Sequence, residues 1–147
     1  MSTLLENKKI SLEYEILQKY EAGIELLGME VKSVRARHGG LLGAYVVIRG
    51  AEAFLVNAHI PAYQEKNTPE SYDPYRNRKL LLKKSEIAAL ATEGNKKGLT
   101  IVAISMYSKG PKIKAEIAVV RGKKKFDKRQ TLKKRQNDRD IAREFAL

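Results

Sequence analysis

His38 and His59 are the only imidazoles in the chain, and there is no cysteine. Acid–base or metal chemistry needs such groups to converge with a carboxylate, a nucleophile or further ligands. The two histidines sit in unrelated motifs on either side of a predicted strand, and no paired-carboxylate or metal-ligand spacing surrounds them. The expected catalytic set is therefore empty, with no metal and no cofactor. His59, at a strand end before Ile60-Pro61, reads first as structural, and His38 has no motif around it. Without cysteine there is neither a disulfide framework nor a thiolate site, and a cytoplasmic protein is expected.

The chemistry that the residue types do favour is binding of a polyanion. Lys and Arg number 29 against 17 Asp and Glu, a net charge of +12 over 147 residues. The segment from Arg121 to Leu147 holds 11 basic and 4 acidic residues, so +7 of that charge lies in the last 27 positions. Nucleic acid fits this excess first and an anionic membrane second. The longest apolar runs, such as Ile101 to Ile104, are too short to span a bilayer, and Met1-Ser-Thr-Leu-Leu-Glu lacks the pattern of a secretory signal. No membrane role is expected.

Three zones must position these charges. From Ser11 to Leu42 a strand around Glu13 to Ala22 precedes a short helix, in which Val31 and Val34 face inward while Lys32 and Arg35 face outward. Next come two hairpins: Ala44 to Arg49 with Ala53 to Ala58, and Leu99 to Tyr107 with Lys112 to Val120. Lys112, Lys114 and Glu116 alternate with Ile113, Ala115 and Ile117, so one strand face is wet and the other buried. Between the hairpins lie a polar loop, Gln64 to Arg78, and a helix from a Ser85 N-cap to Thr92. The fold expected is mainly β: a small closed antiparallel barrel of OB-like type with added short helices. Residues 1–120 form this barrel and 121–147 a basic tail, disordered when free. Drawn as a helix, the tail places Arg121, Lys124, Lys128, Arg135 and Arg139 on one stripe. Its like-charge pairs at i and i+4 oppose an isolated helix by about 0.2–0.5 kcal/mol each, and phosphates along the stripe would relieve them.

Four ordered blocks resemble one family. They are Tyr20-Glu-Ala-Gly-Ile-Glu-Leu-Leu-Gly-Met-Glu-Val-Lys-Ser33 with Arg35, Asn57-Ala-His-Ile60, Arg78-Lys-Leu-Leu-Leu82, and Arg121-Gly-Lys-Lys124 followed by Asp127-Lys-Arg129, Lys133, Arg135, Arg139 and Asp140. Together they are similar to SmpB, the small protein B of bacterial trans-translation. Two departures stand out. Gly39-Gly-Leu-Leu-Gly-Ala-Tyr45 occupies a stretch that in the family reads more like Ala-Asn-Leu-x-Asp-Ala-Tyr, and Phe126 stands where His or Tyr is common.

The resemblance implies an OB-like body that binds the transfer-RNA-like domain of transfer-messenger RNA (tmRNA), with a tail that probes the decoding centre and empty messenger channel of a stalled ribosome. Elongation factor Tu is implied as an indirect partner through aminoacylated tmRNA, and a monomer is expected. The tmRNA contacts so assigned are Glu30, Lys32, Ser33, Arg35, His59, Arg78, Lys79 and Lys114. Glu30 either accepts hydrogen bonds from RNA or orients Arg35. Lys83 and Lys84 are read as solvated. Ribosome engagement falls to Lys123, Lys124, Phe126, Asp127, Lys128, Arg129, Lys133, Arg135 and Arg139, with Phe126 stacking on a base. The rival reading is another OB-fold protein that binds the ribosome or its RNA, resident on translating ribosomes without a dedicated RNA partner.

Overall fold

Strands with short helices between them follow one another along the chain, which the computed structural model describes over residues 2–64 and 69–123. They are β1 (Ser2–Glu6), α1 (Ile10–Glu13), β2 (Tyr14–Ile24), α2 (Gly28–Arg35), β3 (Tyr45–Arg49), β4 (Glu52–Val56), β5 (Arg78–Leu81), α3 (Lys84–Gly94), β6 (Leu99–Lys109) and β7 (Lys112–Gly122). Every strand pairing is antiparallel. The order β6-β3-β4-β5-β2-β7 returns to β6 through the β6–β7 hairpin, and β1 pairs with Ser105–Ser108 of β6, on the edge that β3 meets at Val102. The mainly β, antiparallel architecture with short helices agrees with the sequence.

Period-two burial explains why β7 sits where it does. Ile113, Ala115 and Ile117 point into the core, while Lys112, Lys114 and Glu116 point outward. Beyond Ile117 the alternation ends, because Ala118 and Val120 are buried too, under Ile10, Tyr14 and Ile16. Inside the ring, Leu5, Val34, Leu55, Ile60, Leu80, Leu90, Met106 and Ile117 form one continuous core.

The irregular apolar pattern near the start of β2 has a physical cause. Ile16 faces Val120 and Gln18 faces Val119, so Leu17 is an extra residue that breaks the register. The helix before β6 begins at Lys84, not after a Ser85 cap. Lys83 is the N-cap residue, and its amide is satisfied by Glu86 Oε1 at 2.9 Å. Short, half-exposed β1 carries no clear alternation and was not foreseen.

Two glycines are demanded by close approaches. Gly23 pairs with Leu81 on one side and Lys114 on the other, and a Cβ there would lie 3.1 Å from Leu81 Cβ. Gly39 has φ +113°, and a Cβ would meet the His59 carbonyl oxygen at 2.4 Å. That contact accompanies the reciprocal bonds from Gly40 N–H to His59 O (2.9 Å) and from His59 N–H to Gly40 O (3.0 Å).

Candidate nucleic-acid interface

Glu30 and Arg78 come together at the centre of a buried polar hub, each with no exposed surface. Glu30 is the third residue of α2, and its Oε1 accepts the Leu27 amide at 2.7 Å, closing the start of the helix. Arg76 grips the same carboxylate at both oxygens, Nη2 to Oε1 at 2.5 Å and Nε to Oε2 at 3.0 Å. Arg78 Nε donates to Oε2 at 2.8 Å. The other Arg78 donors go to the carbonyls of Ala58, Arg76 and Pro74 and to the Tyr72 hydroxyl, so five donors meet five acceptors. Tyr72 in turn donates to Ile60 O at 2.7 Å.

This hub corrects three surface expectations. Glu30, Ser33 and Arg78 are buried and do not offer a side chain to a ligand on this surface. Arg78 has no donor left for a phosphate. Glu30 neither faces solvent nor orients Arg35, whose Nη2 donates instead to Pro111 O at 2.8 Å. Ser33 Oγ is spent on Pro61 O at 2.6 Å. Burial alone would raise the Glu30 carboxyl, but hydrogen bonds from Arg76 and the Leu27 amide and the nearby Arg78 charge outweigh it and hold the pKa below the ordinary value. For Tyr72, burial and then the Glu30 carboxylate push the phenol up. No local pattern marks Tyr72 or Arg76, because their shared partner Glu30 lies 42 and 46 positions away, with the Tyr72 hydroxyl 3.0 Å from Glu30 Oε2.

Apart from the hub, one set of charges lies on the outer face of β5, β2 and β7. Side chains directly opposite across antiparallel strands share a face. Leu81, Gly23 and Lys114 therefore lie abreast, with Glu21 on the same face of β2 and Lys79 on that of β5. The Leu81 side chain leans over Gly23, and the row borders a groove of about 510 Å³ with Lys79, Leu81, Lys83 and Lys114 among its lining. Leu81 is 49% exposed, an apolar surface set among four lysines and three glutamates, Glu21, Glu52 and Glu86. The Lys79 ammonium is held only loosely, 3.9 Å from Glu52. At the other end, Tyr107 and Lys109 hydrogen-bond Glu21 and keep its carboxyl low, while burial and the Glu21 carboxylate push the Tyr107 phenol well up.

Of the remaining expected contacts, Lys32 and Arg35 are exposed on α2 and His59 is half-buried where β4 leads into the loop. The structure thus gathers Lys79 and Lys114 on one groove and leaves Lys32, Arg35 and His59 elsewhere on the surface. Lys123 follows β7, its amide bonded to Glu13 O at 2.9 Å and its ammonium to Ser11 O at 2.7 Å. Lys124, Phe126, Asp127, Lys128, Arg129, Lys133, Arg135 and Arg139 lie outside the described residues. Among the described residues no group of His, Asp and Glu is arranged to hold a metal ion, and no helix is long and apolar enough to cross a membrane.

Residues 4–147 match the family described as SmpB protein. The SsrA-binding protein of Microcystis aeruginosa is 47% identical over 140 residues, 95% of this chain and 91% of the relative. Another, from Lactobacillus delbrueckii subsp. bulgaricus, is 47% identical over 146 residues, covering 99% and 95%. That of Malacoplasma penetrans is 44% identical over 147 residues, the full length of both. Among solved structures, a chain described under "tmRNA-SmpB: a journey to the center of the bacterial ribosome" superposes with a TM-score of 0.71 at 36% identity, over 89% of this chain and 95% of that one.

Proposed function

The chain belongs to the SmpB family, and from that premise we propose that it binds the transfer-RNA-like domain of tmRNA and delivers it to stalled ribosomes for trans-translation. The observation that carries the reading is the outer groove, where Lys79 and Lys114 flank the exposed Leu81, which leans over Gly23. Two ammonium groups can follow a phosphate backbone while Leu81 meets a base or ribose face. Such contacts fix position and carry little sequence information, as suits a partner recognised by shape. Lys32 and Arg35 on α2, and His59, lie apart from this groove and make separate contacts with the RNA.

The ring of strand pairings supports reading the body as an OB-like barrel, a scaffold suited to structured RNA. Residues after Lys123 act on the ribosome: the basic residues from Lys124 to Arg139 engage ribosomal RNA, Phe126 stacks on a base, and Asp127 makes a specific contact or favours a helix N-terminus. The protein works in the cytoplasm as a monomer, meets elongation factor Tu only through aminoacylated tmRNA, and makes or breaks no bond itself.

Affinity capture of the full chain from bacterial lysate, followed by sequencing of the bound RNA, tests the proposal. Strong enrichment of tmRNA is expected. Enrichment of ribosomal RNA alone would favour a resident ribosomal protein and overturn the reading.

A further inference from the structure

We propose that His38, Tyr63, His59 and Tyr75 form a stacking platform for unpaired nucleobases of RNA; this rests on the RNA-binding reading and extends it from backbone to base. Tyr63 is 43% exposed and Tyr75 51%, large rings that the core does not use. Each pairs with a histidine. His59 and Tyr75 have centroids 4.9 Å apart at 38°, and His38 and Tyr63 are 6.5 Å apart at 27°. The second spacing is near the wide end of the ring-contact range, so these faces are not used up on each other.

The two pairs are joined through backbone, since the reciprocal Gly40–His59 bonds hold the segment after His38 against His59. Beneath them, the buried hub fixes both tyrosine-bearing segments. Ser33 holds Pro61, two residues before Tyr63, and Arg78 holds Pro74, next to Tyr75. The neighbouring backbone is strained at non-glycine positions, with φ of +64° at Arg37 and +65° at Asn57. Exposed rings on a rigid, strained base are preorganised for a flat ligand. A base is that ligand, because every base offers a π face and binding needs no particular sequence. Arg37, exposed beside His38, supplies a cation for the adjoining phosphate. Tyr75 also leads into β5, the strand that carries Lys79 and Leu81, so one RNA strand can touch rings and lysines in turn.

The test uses the full chain, an RNA copy of the tmRNA transfer-RNA-like domain, and affinity measured over a range of salt. Replacing Tyr63 and Tyr75 together by Ala should weaken binding about 5- to 150-fold per base lost. The slope of log affinity against log salt should not change, because no phosphate contact is removed. Tyr63→Phe with Tyr75→Phe should bind like the unsubstituted chain. Wild-type affinity in the Ala variant overturns the platform and leaves the lysine groove standing. Phe variants as weak as the Ala variant, with an unchanged thermal midpoint, overturn it as well, since the hydroxyls and not the faces would then bind. Failure of the unsubstituted chain to bind this RNA overturns the RNA-binding reading itself and the platform with it.

Discussion

At Glu30 a residue that sequence placed on an RNA surface proves to be the buried keystone between α2, β5 and the segment before β5. A carboxylate inside an amphipathic stretch looks outward when only neighbours four positions away are considered. Its real partners lie 46 and 48 positions on, a separation at which periodicity carries no information. Replacing Glu30 with Ala leaves the Arg78 guanidinium buried beside an empty place. Stability should fall by about 3–5 kcal/mol in urea unfolding, as when one partner of a buried pair is removed. A loss under about 1 kcal/mol would show that the hub is not what locks these segments. The same residue sets an acid response. Its native pKa lies below the ordinary 4.5, so the unfolded chain binds more protons there and this stabilisation fades as pH drops through and below that value. Comparing unfolding of the unsubstituted chain and Glu30→Gln from pH 6 down to pH 3 should show a shallower acid loss in the variant. On the outer face, Lys114→Ala should reduce the salt slope of RNA binding by about 0.7–0.9, the share of one phosphate, with stability almost unchanged.

Between elements, the hairpins were the most legible feature. Ser108 to Pro111 announced a turn, and the alternation from Lys112 to Ile117 fixed which face of β7 is wet, so Lys114 was correctly placed outward. Helix starts were less legible. Lys83 and Leu27 are poor capping residues, and each N-cap amide is satisfied by a glutamate three positions later. The Gly39–Gly43 stretch, a departure from the family's usual pattern, serves the fold: Gly39 lets the chain run against His59, and Asn57 Nδ2 donates to Gly43 O at 3.2 Å. Two adjacent substitutions separate this close approach from general loop tolerance. Gly39→Ala meets both a positive φ and a backbone oxygen and should lower stability by about 1–3 kcal/mol. Gly40→Ala has open space at its Cβ and should cost under about 0.5 kcal/mol. Equal thermal midpoints for the two variants would remove the Gly39–His59 contact from the account.

Across the whole molecule, the proposed division of work rests on charge and architecture. The strand ring and its hub complete themselves within the described residues, the last tie being Lys123 to Glu13 and Ser11. The strongest basic excess begins at β7's end. Sequence set the boundary at Val120, but β7 continues to Gly122 and Lys123 is bonded into the body, so the body runs at least to Lys123. The central claim is that the body chooses the RNA while the tail acts on the ribosome. It is tested most directly by ending the chain after Lys123 and measuring two things: affinity for the transfer-RNA-like domain of tmRNA, and tagging of nascent chains on ribosomes stalled at the end of a message. Affinity within a few-fold of the full chain together with loss of tagging is expected; a fall in affinity by orders of magnitude, or tagging that persists, would contradict this division.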